Sequence, residues 1–221
     1  YSNDYTRDGH YGFADLNAKF TWLRSSRDKI TFNTYLGFDY MSYIESDRKQ
    51  IGGSSTYEKS IYKDANRWGN ALLSAVWERN LSESRKMVST YYVSDGYYSA
   101  LYENVDKYLD YKSYSLESNI SNILDIGAKL HFSDKTFSRH YLNYGASAVY
   151  HLFSPIAYDH SYVEIDKGRS NEKQSTYGRH YNSPEIDLWA EDEFTLTPRL
   201  YLNAGLRYML FVAKGKLYNA L

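Results

Sequence analysis

Apolar and polar side chains alternate with a period of two residues along residues 185–208. Between Ile186 and Tyr208 the even positions, apart from the turn residue Pro198, are apolar at ten of eleven places, and the odd positions are mostly charged or polar. A helix would place apolar residues three and four apart, and that spacing would bring Ile186 alongside Glu193. The pattern therefore predicts a β-hairpin, turning at Thr197 and Pro198, with one apolar and one polar face.

Six further segments have an extended, strand-like pattern. In the first two the even positions are mainly apolar, whereas in the third the apolar face is odd. The fourth segment, which contains STYYVSDGYYSA, is too mixed for its faces to be assigned. Together with the hairpin, the sequence predicts about eight strands. The six segments are 13–24, 29–41, 68–79, 86–99, 119–132 and 141–153.

Short and long connections alternate between the predicted strands. The short links have about four to seven residues, whereas the stretches 42–66, 100–115 and 154–183 are long and polar. Transmembrane barrels have short turns at the periplasmic end and long loops outside the cell. Strands of about 12 to 14 residues are about 40 Å long, and a tilt near 45° reduces this to about 30 Å of membrane normal. The sequence therefore predicts an all-β protein of antiparallel, up-and-down transmembrane β-barrel strands.

Two alternatives share the alternating pattern. A soluble carbohydrate-binding β-sandwich also has strands with one apolar face, and a complete eight-stranded outer-membrane barrel could act as an adhesin or structural protein. The length of the strands, more than twice the usual 5 to 6 residues, favours a barrel over the sandwich. Aromatic residues near strand ends would form its interfacial girdles. They are Trp22, Tyr40, Trp68, Trp77 and Tyr208.

The composition excludes several classes of function. Lys and Arg total 26 against 27 Asp and Glu, so there is no electrostatic case for nucleic acid as a partner. The absence of cysteine removes disulfides, thiolate metal sites and thiol nucleophiles. No glycine-rich phosphate loop, nucleophile elbow or HExxH motif occurs. We therefore expect no enzymatic activity and no cofactor, while the 26 tyrosines suit an interface with lipid.

The segment WAEDEFTLTPRLYLNAGLRY resembles a hairpin that recurs in the barrel of TonB-dependent outer-membrane receptors. In that hairpin an aromatic residue, an acidic pair, a Leu-Thr turn and a closing Gly-Leu-Arg-Tyr follow one another. The strand and loop pattern of residues 13–211, with DLNAKFTW, is similar to the nutrient-importing receptors of Bacteroidetes-type bacteria. The matching hairpin residues are Trp189, Glu191, Asp192, Leu196, Thr197, Gly205, Leu206, Arg207 and Tyr208.

This resemblance implies a fragment of a receptor in the bacterial outer membrane. Such receptors have a 22-stranded barrel and an N-terminal plug, and neither plug nor TonB box is found in the sequence. Residues 1–221 would then be part of a single outer-membrane β-barrel domain that takes up a glycan, a peptide or an iron chelate. The implied partners are outer-membrane lipid, the TonB complex through the missing N-terminal part, a surface lipoprotein and a small nutrient ligand.

The long stretch 154–183 carries the candidate ligand-binding residues. Aromatic rings with polar tips suit capture of sugars or peptides, although a solvated shield explains the same composition equally well. A cation site at Asp159, His160, Glu164 and Asp166 is not expected, because a flexible loop offers no fixed geometry. The predicted ligand-binding residues are Tyr158, His160, Tyr162, Tyr177, His180 and Tyr181.

The acidic run from Glu191 to Glu193 is the other candidate for chemistry. Adjacent residues of a strand point to opposite faces, so Glu191 and Glu193 share a face while Asp192 points away. We expect lumen-facing charges that pair with Arg207 and with lysines of neighbouring strands, and no catalytic role.

Overall fold

The structure, a computed structural model, describes residues 3–52, 57–109, 111–165 and 169–221. These residues form eleven β-strands and no helix. The strands are β1 (Asn3–Leu23), β2 (Asp28–Gln50), β3 (Tyr57–Asn80), β4 (Arg85–Tyr108), β5 (Tyr111–Asp134), β6 (His140–Phe153), β7 (Ile156–Ile165), β8 (Arg169–Gly178), β9 (Tyr181–Thr197), β10 (Leu200–Ala213) and β11 (Lys216–Ala220).

All eleven strands belong to one antiparallel sheet. Its order is β1-β2-β3-β4-β5-β6-β9-β10-β11. The hairpin of β7 and β8 lies outside this order, because β7 pairs with the first half of β5, where β6 does not reach. Consecutive strands are neighbours wherever they are joined by a simple turn, which is up-and-down topology. The predicted all-β, up-and-down fold is therefore confirmed. No helix in the described part of the chain is long and apolar enough to span a membrane.

One face of the sheet carries a continuous apolar band. Cross-strand partners on this face match from strand to strand, as in the pairs Phe20–Phe32 and Ala128–Ala148. We call this the outer face and the opposite one the inner face. The central row of the band is Phe20, Phe32, Ala75, Tyr91, Ala128, Ala148, Ile186 and Leu210.

The apolar band has no second layer of protein over it. Phe20 is 64% exposed and Leu206 62%, and Ala65 and Ala100 are the buried hydrophobic residues of the described chain. A β-sandwich would cover this face with another sheet, so the sandwich alternative does not describe this fold. On β2 the band runs from Ile30 to Tyr40, about 33 Å along the strand, and a tilt near 40° gives about 25 Å, the height of the apolar band of outer-membrane barrels.

The stretches 42–66, 100–115 and 154–183 are largely β-structure, so their assignment as loops was wrong. The hairpins β2–β3 and β4–β5 continue in unbroken register far beyond the band, and β7 and β8 lie within the third stretch. The strand count rises from about eight to eleven for the described residues. Alternation fades there because both faces carry polar residues, although the backbone ladder continues.

The register also settles the faces that the sequence left open. Odd residues of β4, such as Tyr91 and Val93, lie on the outer face opposite Ala128 and Ile126. Trp22 and Trp77 flank Ile30 on the outer face near the short turns, as a girdle requires. Trp68 was wrongly placed in the girdle.

Trp68 pairs with Asp39 and Tyr98, which puts it on the inner face. It lies an odd number of residues from the apolar set of its strand, so strand parity turns it away from the band.

Aromatic rings on the inner face lie directly over glycines of neighbouring strands. The ring of Tyr92 covers Gly127, and the indole of Trp189 covers Gly145, so that a Cβ at either glycine would overlap the ring. The stack is extended by His131, whose ring is 6.3 Å from that of Trp189, and by Lys129, whose Nζ is 5.0 Å from the ring centroid. These contacts fix the inward direction of the large side chains.

Asp134 ties together the ends of β4 and β5 at the short-turn end, which contains the turns 24–27, 81–84, 135–139 and 198–199. Its Oδ2 accepts hydrogen bonds from Arg85 Nε at 2.8 Å and Nη2 at 2.7 Å, and its Oδ1 accepts from the Thr136 amide at 2.9 Å and the Thr136 hydroxyl. The hydrogen bonds from Thr136, followed by those from Arg85, hold the pKa of Asp134 below its usual value near 3.8.

We expect Asp134→Asn to flatten the acid side of the stability profile. A depressed folded-state pKa contributes stability that is present above the unfolded pKa, near 3.8, and is lost as the pH falls through the lower folded value. Urea unfolding in detergent micelles at a series of pH values between about 6 and 2 measures this. The exposed Glu83→Gln in the adjacent turn is the control. An acid side that is equally steep in the wild type and Asp134→Asn would contradict the assignment.

Candidate functional site

Strand β5 divides its pairing between two strands. Residues 123–134 pair with β6, whereas residues 111–120 pair with β7. At the branch the Ser154 amide donates to the Asn122 carbonyl at 2.9 Å, and the Arg179 amide donates to the Pro155 carbonyl at 3.3 Å. The β7–β8 hairpin is thus held by the sheet at the far end, opposite the short turns, and is not a free loop.

Three of the six predicted ligand-binding residues lie on the outer face of this hairpin. Tyr158, His160 and Tyr162 alternate along β7 and pair with the outer-face residues of β5. The ring of Tyr114 is 5.5 Å from that of His160. His160 Nε2 is 2.9 Å from Glu172 Oε1, and the Tyr162 hydroxyl donates to Glu164 at 3.1 Å. The polar groups of His160 and Tyr162 therefore already have partners within the hairpin.

The other three predicted residues lie at the branch. Tyr177 and Tyr181 are on the inner face, opposite Ala157 and Phe153 respectively, and both contribute to an open pocket of about 740 Å³. His180 Nδ1 is 2.9 Å from the Ser154 hydroxyl, which holds it in the connection between β8 and β9. The structure therefore brings Tyr177 and Tyr181 together and separates them from the outer trio. The pocket is also lined by Tyr98, Asn119, Ser121 and Arg179.

The acidic and histidine residues of β7 do not converge. Asp159 and His160 are adjacent and point to opposite faces, and Asp159 accepts a hydrogen bond from Ser175 at 3.4 Å. Asp166 lies outside the described residues. Within the described residues no group of three His, Asp or Glu side chains is arranged to hold a metal ion.

The inner face at the far end is rich in tyrosines and carboxylates, a feature that the sequence reading missed. Glu45 accepts hydrogen bonds from the Tyr5 hydroxyl and from the Tyr43 hydroxyl, the latter at 3.0 Å. These two bonds, in that order, lower the pKa of Glu45. The nearby charge of Asp64 is the largest cause that raises the pKa of Tyr102. The signal in the sequence was the alternation of Tyr and acidic residues inside stretches read as loops.

Asp106 is the centre of a second hydrogen-bond cluster on this inner face. It accepts from Ser60 at 2.6 Å, from Asn104 at 2.9 Å and from Ser113 at 3.3 Å. Its donors come from three different strands, which stabilises the far-end hairpins against one another. The inner face of the far end therefore presents ordered polar groups on β3, β4 and β5.

Arg207 pairs with Asp187. The predicted pairing of Arg207 with the run from Glu191 to Glu193 is wrong. Its Nε and Nη2 lie 3.0 and 2.9 Å from Asp187 Oδ1, and Ser147 donates to Oδ2 at 3.1 Å. The pairing register puts Arg207 opposite Trp189, so Asp187 is its diagonal neighbour on the inner face.

The acidic run has other partners. Glu191 accepts from Asn203 Nδ2 at 2.6 Å. Asp192 points to the outer face, as predicted from strand parity, and its Oδ2 is 2.7 Å from His140 Nδ1.

Comparisons with known proteins find structural relatives only. No protein-family model matches the sequence, and no curated protein matches it. The siderophore receptor PiuA from Acinetobacter baumannii is similar in structure, with a TM-score of 0.53 at 12% identity over 98% of this chain and 44% of the receptor. The ferric preacinetobactin receptor BauA from Acinetobacter baumannii has a TM-score of 0.44 at 11% identity over 99% of this chain and 43% of that receptor.

The chain therefore spans less than half the length of these receptors. The likeness to PiuA shows that the fold is that of barrel strands.

Proposed function

We propose that this chain forms part of the barrel wall of an outer-membrane receptor that takes up a small nutrient. The observation that carries the proposal is the continuous apolar band, which is exposed on every long strand and is about as high as a bilayer is thick. Soluble proteins rarely expose contiguous apolar patches of more than a few hundred Å². Lipid covers such a face without the need for a second protein layer.

The far end supports a receptor rather than a merely structural barrel. Cross-strand hydrogen bonds there hold Asp106, which accepts from Ser60, and Tyr98, which donates to Asn66. Tyr98 lines the pocket at the branch, which opens beside Tyr177 and Tyr181. Rigidly held aromatic groups suit ligand capture, because little conformational entropy is lost on binding.

The remaining parts of the proposal rest on the sequence resemblance. They are dependence on TonB, a plug elsewhere in the protein, a surface lipoprotein partner and a Bacteroidetes-type receptor. The nutrient is a glycan, a peptide or an iron chelate. Because the structural neighbour PiuA is named as a siderophore receptor, a ferric siderophore is the first class to test.

Expression, in a Gram-negative host, of the full-length protein that contains this chain tests the proposal. We expect the protein in the outer-membrane fraction, with heat-modifiable migration on a gel, and accumulation of at least one radiolabelled probe from a set of a ferric siderophore, an oligosaccharide and a peptide. Surface location without uptake of any probe would favour the adhesin alternative. Recovery as a soluble monomer in plain buffer would contradict both readings.

Substitution of the two pocket tyrosines tests the site within this function. We expect Tyr177→Ala with Tyr181→Ala to reduce binding of the accepted probe about tenfold, because each ring contributes about 0.5 to 1.5 kcal/mol of contact. The matched control is Tyr158→Ala with Tyr162→Ala on the outer face of the same hairpin, which should bind normally. Equal loss in both double variants, at equal assembly, would place the capture surface elsewhere.

A further inference from the structure

Charged side chains on the far-end parts of β2 to β5 are sorted by sign between the two faces. We call residues 41–50, 57–67, 98–108 and 111–121 the far-end extension. The strand register places seven charged residues on each face of it. On the outer face six are basic, namely Arg48, Lys59, Lys63, Arg67, Lys107 and Lys112, with Glu103 as the exception. On the inner face six are acidic, namely Glu45, Asp47, Glu58, Asp64, Asp106 and Glu117, with Lys49 as the exception.

Four of the outer cations form a single row across four strands. Arg48 lies opposite Lys59, Lys59 opposite Lys107, and Lys107 opposite Lys112. The row continues to Asp4 on β1 beyond Arg48 and to Glu164 on β7 beyond Lys112, so its excess of cations lies on β2 to β5. All four basic side chains are exposed. Like charges directly opposite each other destabilise an antiparallel pair, so the row is a place where a bound anion would lower the free energy.

The outer cations also form a column along β3. Arg67 lies over the ring of Tyr40 at the edge of the apolar band, with 5.5 Å between its Cζ and the ring centroid. Further from the band, Lys63 lies four residues before Arg67 in β3, with its Nζ 3.8 Å from Glu103 Oε2. Lys59 lies another four residues before Lys63. The column therefore reaches about 26 Å along the strand beyond Arg67, or about 20 Å along the membrane normal at a tilt near 40°.

The distance of the row at Lys59 from the apolar band limits which anionic groups of a membrane can reach it. The headgroup layer of a bilayer adds only about 5 to 8 Å to each leaflet, so phospholipid phosphates reach Arg67 but not the row at Lys59. Phosphates carried on the sugars of a glycolipid extend further from the hydrocarbon. Because the basic residues share the outer face with the apolar band, such a glycolipid would contact both at once.

We propose that the outer face of the far-end extension binds the sugar-borne phosphates of a glycolipid in the surrounding outer leaflet. The inference rests on the proposed outer-membrane location. Basic residues near a membrane surface attract anionic headgroups, and the acidic inner face repels the same groups, so the glycolipid is directed to the outside of the wall. The inner face is thereby left open to other ligands.

A charge-neutralising triple variant tests the inference. Lys59→Gln, Lys107→Gln and Lys112→Gln are combined, and the control combines Lys49→Gln on the inner face with Lys214→Gln and Lys216→Gln, which changes net charge equally. The probe is lipid A bearing a phosphorylated core oligosaccharide, and binding to the assembled protein is measured in zwitterionic detergent at low salt. The same glycolipid after enzymatic dephosphorylation is the second probe.

We expect the outer triple variant to bind the phosphorylated probe about 10 to 100 times more weakly, and the control to change by about twofold or less. The wild type should prefer the phosphorylated probe. If the triple variant does not assemble, Lys107→Gln alone should still weaken binding about fivefold, since its cation lies between two others. Equal binding of both probes, or equal loss in variant and control, would overturn the inference.

Failure of the proposed function is distinguishable from failure of this inference. A wild-type protein that is absent from the outer-membrane fraction contradicts the membrane location itself. A wild-type protein that assembles there and binds both glycolipid probes equally contradicts only the phosphate site.

Discussion

Ile126→Arg is expected to destabilise the protein in a bilayer by about 2 to 4 kcal/mol, the cost of a charged residue at mid-bilayer on the lipid side of a barrel. Ile126 lies on the outer face between Val93 and Tyr150 and is 51% exposed, which is compatible with contact to lipid chains. Urea unfolding from lipid vesicles, followed by tryptophan fluorescence, measures the change.

The control for this prediction is Ser94→Arg. Ser94 follows Val93, the cross-strand partner of Ile126, on β4 and lies on the inner face. Ser94 lies opposite Asp125, so an introduced guanidinium there gains a carboxylate neighbour and avoids lipid. We expect its free energy of unfolding to stay within about 0.5 kcal/mol of the wild type. Equal destabilisation by both substitutions would mean that the outer face does not contact lipid.

Arg207→Ala is expected to cost about 3 kcal/mol, because it leaves the carboxylate of Asp187 without its cation. The side chain of Asp187 is only 6% exposed, whereas that of Arg207 is 61% exposed. The penalty therefore comes mainly from the buried carboxylate, which keeps Ser147 as a hydrogen-bond donor. Unfolding from lipid vesicles provides the measurement.

Two further variants separate this ion pair from a general effect of losing an arginine. Arg199→Ala, in the exposed turn between β9 and β10, should change stability by less than about 0.5 kcal/mol. Asp187→Asn combined with Arg207→Ala should recover part of the loss, because an amide is less costly to bury than an unpaired carboxylate. A double variant as unstable as Arg207→Ala would argue against an unpaired charge as the cause.

The sequence predicted the part of the fold that carries the apolar band well and the far end poorly. Between Ile30 and Tyr40 one face of the sheet is apolar and the other is polar, so the difference between the two faces is visible in the sequence as alternation. Beyond Tyr40 both faces are polar, yet β2 continues to Gln50 because the backbone hydrogen bonds to β3 continue. A period-two pattern is detectable only where one face is apolar and the other polar, and beyond Tyr40 the two faces differ little in polarity.

The sequence singled out the region of the candidate ligand-binding residues but did not predict how their side chains are arranged. The aromatic content of residues 154–183 pointed to Tyr158 and Tyr177 alike. Their separation onto opposite faces follows from the pairing of β7 with β5 and β8. Partners such as Asp187 for Arg207 depend on register in the same way, because a shift of one residue exchanges the two faces.

The sequence by itself determined the all-β class, the strand faces within the apolar band except those of β4, and the positions of the short turns. These properties are local, since each depends on the period-two order of neighbouring side chains. Only the tertiary structure decided that the three polar stretches are strands, that β5 branches to two partners, and that the charges of the far-end extension are sorted by face. Those properties depend on which strands pair and in what register, and pairing joins residues up to about 50 positions apart, such as Arg85 and Asp134.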